Sequence, residues 1–407
     1  MKMKSKVRKF MHTAFDLYSQ VFAITKIASE LQKASLTIEK RQTVIFLDSV
    51  EKYGNLRECA VAFRNEFPEV DMYFLAMDQK SMQWAKTHEL PARLFDLKAN
   101  NPENAKTWDL LLRASVCVLE THPWFRSKKL YILNSLLAGA KKVQLWHGST
   151  GPIGKEIGTA RLQNAPALWH FTSLAAASVG FEVLINEPNK DEQRRMDRVQ
   201  AKRSVHDIEF RLVDEFGKSA IRPSGRRVLV APTFPEGKTG DSDLFEMIKT
   251  ISRESVQGEI SLDLSLHPLT KKSLKKKISK ISNLNILNSK VPASELKMYS
   301  GVLTDYSSIA HDALLLGVPV CMYLVNLDSY SASREILIDQ EQMDISYQIN
   351  EASKTASVLL AMIDHDPLKI ARDSWLSQIK LQLDSKPGLN TLNAIHALAI
   401  SSKKDML

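Results

Sequence analysis

From Gln42 onward, short apolar runs alternate with longer stretches whose apolar positions recur every three or four residues. The runs at Thr43–Leu47, Met72–Met77, Ser115–Leu119 and Lys142–Leu145 predict strands in the first half. Arg227–Val230, Ser261–Leu266, Asn285–Leu287, Gly301–Leu303 and Val318–Tyr323 predict strands in the second. Val, Ile, Leu and Phe dominate them, as in parallel strands covered on both faces. Amphipathic helices fall between, at Leu56–Phe67, Lys128–Leu137, Leu244–Ile251 and Ile309–Leu316. Strand–helix alternation of this kind builds βαβ units and a doubly wound α/β fold. It breaks once, over residues 187–222, where a dense run of charges from Asp191 to Arg203 predicts a solvated helix. The turn Ile221-Arg222-Pro223-Ser224-Gly225 follows. The break divides the chain into domains at 42–222 and 223–407 with a ligand cleft between them.

The first 41 residues differ. An apolar stripe at Phe10, Ala14, Leu17, Val21, Ile24, Ala28 and Leu31 predicts an amphipathic N-terminal helix. The whole chain of 407 residues has a net charge of +9, and this segment, with nine Lys or Arg against three acids, supplies +6 of it. Asp16 and Lys26 interrupt the stripe, so it does not read as a secretory signal. A basic amphipathic helix suits an anionic membrane surface, where each nearby cation adds about 1 kcal/mol. The competing reading docks it on its own domain or on a second subunit. The longest apolar run, Ala313–Leu327, is interrupted by Gly317, Pro319 and Asn326 and is too short to span a bilayer. Three isolated cysteines, Cys59, Cys117 and Cys321, give neither a disulfide framework nor a CxxC metal site and fit a reducing compartment. The 44% hydrophobic and 25% charged fractions exclude disorder and fibrous repeats.

Ligands of open parallel sheets bind beyond the carboxyl ends of the strands, and four predicted strand ends carry polar groups. Trp146-His147-Gly148-Ser149 places a histidine before a glycine-rich loop, where it could move a proton or merely brace the loop. Ala231-Pro232-Thr233 offers a hydroxyl that could contact a phosphate or cap a turn. His267-Pro268 sets a second histidine at a strand end. In Thr304-Asp305-Tyr306-Ser307-Ser308 a strand gives way to a helix that Asp305, Ser307 or Ser308 could cap, with the helix N-terminus as an anion site.

These four motifs occur in the order found in the CDP-glycerol glycerophosphotransferase family, the teichoic-acid primases and polymerases, which the chain resembles from about residue 42 to 340. Asp312-Ala313-Leu314-Leu315-Leu316, Pro319, Tyr323, Asp328, Tyr330 and Arg334 are similar to that family downstream, and Tyr53, Asn55, Phe67-Pro68 and Tyr73 upstream. The resemblance implies a GT-B architecture, two Rossmann-like domains facing a cleft. It also implies transfer of a polyol phosphate from a CDP-activated donor to a lipid-linked or polymeric acceptor hydroxyl. No cofactor or metal is expected. Carried over residue by residue, His147 is the catalytic base and His267 acts at the donor phosphates. Ser307 and Ser308 bind the pyrophosphate, with Thr233, Thr304, Asp305 and Arg334 as further donor-side residues. Gly148 and Ser149 belong to the acceptor-side loop. The family usually reads His-Gly-Thr-Pro-Leu-Lys there, whereas this chain has His147-Gly148-Ser149-Thr150-Gly151-Pro152-Ile153-Gly154-Lys155, so the departure falls on acceptor recognition. His311 reads as a helix-surface histidine.

A transfer from a diphosphate needs a base for the attacking hydroxyl and cationic or N–H groups for the leaving nucleotide. The lysines from Lys271 to Lys280 read as a solvated face. Without aromatic residues among them they do not suggest nucleic acid. Two rivals stay open on the same sequence: a sugar transferase or capsule polymerase using a nucleotide sugar, and a non-catalytic, membrane-associated assembly protein. Either enzyme reading places the protein in the cytoplasm, peripheral on the inner face of the cell membrane.

Overall fold

The computed structural model describes residues 26–48, 54–97, 102–120, 128–146, 152–155, 181–186, 196, 201–218, 223, 225–233, 240–267, 270–289, 291–331, 336–383 and 386–401. The first sheet is wholly parallel, in the order β3-β2-β1-β4-β5-β7-β8. Its strands are β1 (Arg41–Leu47), β2 (Asp71–Ala76), β3 (Ala92–Leu94), β4 (Ala114–Leu119), β5 (Lys141–Gln144), β7 (Val183–Asn186) and β8 (Arg203–His206). The second, also parallel, runs β11-β10-β9-β12-β13-β15. It is built from β9 (Arg227–Val230), β10 (Ser261–Leu264), β11 (Leu284–Ile286), β12 (Gly301–Thr304), β13 (Val320–Tyr323) and β15 (Tyr347–Ile349). Both share one winding, outward over three strands and then back to the other side of the first. These are the doubly wound α/β sheets that the alternation implied, paired as the GT-B architecture expected from the family resemblance.

Each sheet is packed on both faces, which explains the unbroken apolar runs. Val44 and Phe46 meet Leu56 and Phe63 on one side of β1, while Ile45 and Leu47 meet Leu111 and Leu133 on the other. In the second sheet Leu229 and Val302 face one helix layer, and Val228, Val230 and Leu303 the other. The three cysteines lie inside these layers, and burial raises the pKa of each thiol, Cys117 to about 12.

The expected solvated helix over 187–222 needs correction. Within it, Arg203–His206 is the edge strand β8 and Phe210–Val213 a single helical turn. An edge strand exposes its outer positions, so Arg203 and His206 look polar without being helical. The two units also exchange segments. Ile208, Leu212 and Phe216 pack with the core of the second sheet, while the last helix, Leu389–Ser401, returns to the first sheet through Leu392, Ile395 and Leu398. Asp207 pins that return. Its buried carboxylate accepts from Gly388 N (2.7 Å), Thr391 N (2.9 Å) and Thr391 Oγ1 (2.8 Å). It therefore caps a helix 180 residues downstream.

A further two-stranded antiparallel ribbon, β6 (Ile153–Lys155) with β14 (Ile336–Ile338), joins the halves. Ile153 stands opposite Ile338, and Asp339 N donates to Pro152 O at 2.8 Å. Ile153 is fully buried among the second sheet's core residues. Part of the glycine-rich loop that departs from the family pattern is thus a strand held by the other half.

Residues 1–25 lie outside the described residues. Residues 26–37 are helical, and Ala28 and Leu31 pack against the first sheet's outer layer. The end of the predicted apolar stripe is therefore docked on the chain itself. Ser35 fixes it by donating to Leu136 O (2.7 Å) and accepting from Gly139 N (3.0 Å). Among the described residues no helix is long and apolar enough to cross a membrane. On the lysine-rich helix Lys272–Ile278, Leu274 and Ile278 are buried while Lys272, Lys276 and Lys277 are exposed.

Lys142 offers a test of the packing. It is 6% exposed at the head of β5, and its ammonium donates to Leu137 O and Ala140 O. Burial lowers its pKa to about 8 against an ordinary 10.5. The unfolded chain thus holds this proton over a range where the folded one has lost it, so stability rises with pH between about 8 and 10.5. Below pH 8 the full cost of burying the charge is present. Lys142→Met is expected to be more stable than the parent at pH 7 and to lose much of the parent's gain between pH 8 and 10. Urea titrations at a series of pH values measure both.

Candidate active site

The winding of the second sheet reverses between β9 and β12, and the crevice beyond their carboxyl ends is where such a sheet takes its ligand. Two backbone-level ties level these ends: Ala231 N donates to Leu303 O (2.9 Å), and Thr304 Oγ1 to Ala231 O (2.7 Å). Beyond them, one oxygen of Asp305 accepts from Thr233 N (2.7 Å), Thr233 Oγ1 (2.6 Å) and Tyr306 N (2.6 Å). Burial raises the pKa of this carboxyl, and the Thr233 and backbone donors oppose that rise. Asp305 therefore cross-braces the two strand ends. It does not cap the following helix, as its place in the sequence allowed.

His267 leaves the adjacent strand β10 half-buried, its carbonyl accepting from Thr270 N at 2.9 Å. Three neighbouring strand ends thus deliver His267, Thr233 and Asp305 to one edge of the sheet. Ser307 and Ser308, both half-buried, form the turn into the helix Ile309–Leu315. Ser308 holds the cap position, yet its hydroxyl makes no cap bond. The carbonyls of Ser307 and Ser308 already take the N–H groups of Ala310 (3.2 Å) and His311 (3.0 Å). The hydroxyls are consequently the more available part of this short turn. Beside it, Tyr306 stacks on Tyr330 with ring centres 3.7 Å apart and donates to Asn326 Oδ1 (3.0 Å).

On the first sheet, His147, Gly148 and Ser149 lie outside the described residues, as does Arg334 in the second half. The residues leading to His147 are described. Trp146 adopts φ +61°, a left-handed conformation costly for a bulky side chain. Among the described residues, its indole N–H and both polar atoms of the fully buried Gln144 side chain find no hydrogen-bond partner. Asn55, 1% exposed, spans the strand end, donating to Leu145 O (3.1 Å) and Trp146 O (2.9 Å) and accepting from Phe210 N (2.6 Å).

Next to Phe210, Arg211 reaches the second half. Its guanidinium grips both oxygens of Asp312 (2.5 and 2.7 Å) and one of Glu209 (2.5 Å). Burial works to lower its pKa, but the two carboxylates outweigh it and keep the group charged. Asp312 sits on the helix that follows Ser307 and Ser308. The reading of His311 as a surface histidine is corrected here. It is 1% exposed, bonded through Nδ1 to Gln342 Oε1 (3.0 Å) and edge-on to Trp375. The helix is enclosed because residues 340–344 and the helix Lys369–Leu381 cover the side that a single amphipathic stripe would leave wet.

Sequence reasoning missed Asp207, Glu209 and Arg211, since a charged run gives no sign of which charges are buried. Asn55 was visible only through family resemblance. Its place right after Gly54, whose φ of +96° opens the helix Asn55–Glu66, is the local signal that could have singled it out. Among the described residues no three His, Cys, Asp or Glu side chains gather as metal ligands.

Residues 195–372 match the family described as CDP-Glycerol:Poly(glycerophosphate) glycerophosphotransferase. The matched stretch contains the β9–β12 crevice, His267 and the Arg211–Asp312 pair, and the resemblance read in the sequence is borne out there. Over that stretch the chain is similar to the glycerophosphotransferases. No curated protein matches the chain. Among solved structures, the wall teichoic acid polymerase TagF, in a variant soaked with CDPG, superposes with a TM-score of 0.58 at 15% identity, covering 99% of both chains. TagF without the soak gives 0.55 at 15% identity and 98% of each chain. HepE from Anabaena, in complex with UDP and glucose, gives 0.52 at 11% identity over 90% of this chain and 100% of that one. At these identities the likeness is one of fold, and it is the GT-B fold.

Removing one partner of a buried ion pair leaves an uncompensated charge, at a cost of about 3–5 kcal/mol. Arg211→Met is expected to destabilise the protein on that scale, since it strands both Asp312 and Glu209. Adding Asp312→Leu should recover part of the loss, and a double-mutant cycle followed by chemical denaturation measures the coupling.

Proposed function

We propose that the protein transfers glycerol phosphate, or a related polyol phosphate, from a CDP-activated donor to a hydroxyl of an acceptor in the synthesis of a teichoic-acid-like or capsular polymer. The observation that carries this reading is the braced β9–β12 crevice, with His267 on the neighbouring strand end, inside the stretch that matches the glycerophosphotransferase family. TagF, which shares the fold over nearly its whole length, is a wall teichoic acid polymerase, and its soaked structure supports a CDP-linked donor for this chain too.

In this reading the acceptor oxygen attacks the phosphorus that bears the polyol. The new P–O bond forms as the bond to CMP breaks, and CMP departs with its electron pair. His147 takes the proton of the attacking hydroxyl. His267, the Ser307 and Ser308 hydroxyls and Arg334 meet the charge that builds on the leaving phosphate. Thr233, Thr304 and Asp305 serve chiefly to keep that crevice in shape, because their hydroxyl protons and carboxylate are already engaged with one another and with Ala231. No metal is needed for these steps, and turnover should persist in EDTA. The acceptor is lipid-linked, and the basic residues 1–41 hold the enzyme to the inner face of the cell membrane. The docking of Ala28 and Leu31 confines any such contact to the part of the stripe that precedes them.

Incubation with CDP-glycerol, CDP-ribitol and a panel of UDP-sugars, with mass analysis of the products, tests the donor. CMP release from a CDP-polyol is the expected outcome, and turnover of sugar nucleotides alone would sink the reading. His147→Ala and His267→Ala are each expected to lower kcat by about 10²–10⁴-fold, the usual range for a general acid or base. Full activity in both variants would show that the histidines are not catalytic.

A further inference from the structure

Asn55 is engaged at both ends of its amide. Both Nδ2 protons go to consecutive carbonyls, Leu145 O and Trp146 O, and Oδ1 takes the N–H of Phe210. That arrangement needs two donors and an acceptor on a two-atom arm, which among side chains only asparagine supplies. The bonds fall at a strand end whose backbone is strained. Trp146 holds φ +61°, a conformation that persists only where the surroundings over-determine it. Its carbonyl belongs to the peptide unit that supplies the backbone nitrogen of His147. The other end of the amide holds Phe210, one residue before Arg211, whose guanidinium grips Asp312 on the helix behind Ser307 and Ser308.

We propose that Asn55 is a positioning residue of the transfer reaction, holding the Leu145–Trp146 turn so that the base-bearing loop starts from a fixed point. The inference rests on the reading of His147 as the base. Asn55 belongs to the first half of the chain and makes no bond to Thr233, Asp305 or Tyr306. Its effect therefore falls on the attacking side of the reaction, and donor binding is left alone.

Two variants of the full chain separate this role from a purely structural one. Asn55→Ala removes all three bonds. Asn55→Asp keeps the acceptor for Phe210 N but loses both donors and sets a carboxylate against two carbonyls. Both are expected to lower kcat by about 10–100-fold, the scale of a misplaced reacting group. The Kd for CDP-glycerol, measured by equilibrium binding, should stay within about twofold of the parent value, since the donor crevice keeps its contacts. Wild-type kcat in both variants overturns the inference while leaving the transferase reading intact. So does a loss of donor affinity that matches the loss of kcat, because that is the mark of general damage. If Asn55→Ala does not fold, the near-isosteric Asn55→Asp decides between the same outcomes. If the parent protein turns over no CDP-polyol, the functional reading fails and the inference with it.

Discussion

A guanidinium buried between two carboxylates cannot be separated from them cheaply, and the relation between the two halves of this protein depends on one such group. Arg211 lies in the short crossing between the sheets and holds Asp312, on the helix that follows Ser307 and Ser308. Its neighbours are committed as well. Asp207 caps the returning C-terminal helix, and Phe210 N is taken by Asn55 from the first half. Within five residues the chain ties together the strand end before His147, the donor-side helix and the last helix. The carboxylates of Asp207 and Asp312 and the amide of Asn55 are buried, so losing any of these ties leaves a buried polar group unpaired.

The division of labour at the crevice follows from that frame. A diphosphate brings concentrated negative charge, and an ionised carboxylate at its edge would repel it. Asp305 avoids the conflict by being spent inward: one oxygen serves three donors, and burial favours its protonated form. Among the described residues near these strand ends, His267 and the two serines are half-buried. The motif contains an acid because the loop needs an internal brace, which is a different requirement from binding the ligand.

Nine strands, β1, β2, β4, β5 and β9 to β13, were legible to within two residues. At β1, β4, β9 and β12 the apolar run is the strand. Six short strands were not legible: β3, β6, β7, β8, β14 and β15 are three or four residues long, too short for a local periodicity to announce them. The proposed donor-side residues stood out in the sequence because they cluster in short motifs at strand ends. The ties that hold them were hidden for a physical reason. Asp207, Glu209 and Arg211 are charged, and composition assigns charge to the surface, whereas hydrogen bonds from Gly388 and Thr391 let Asp207 be buried and the Arg211 pair does the same for Glu209. His311 failed in the same way, as a polar residue on a short helix enclosed from every side.

The β6–β14 ribbon has a mechanical side. Its rungs are backbone hydrogen bonds between a loop of one half and a segment of the other, with Ile153 seated in the second half's core. Twisting the halves about the ribbon leaves its rungs in register, whereas pulling them apart along the rungs breaks all of them together. The ribbon therefore acts as a seam: with the Arg211–Asp312 grip and the returning C-terminal helix, it joins the halves at a third place along the chain.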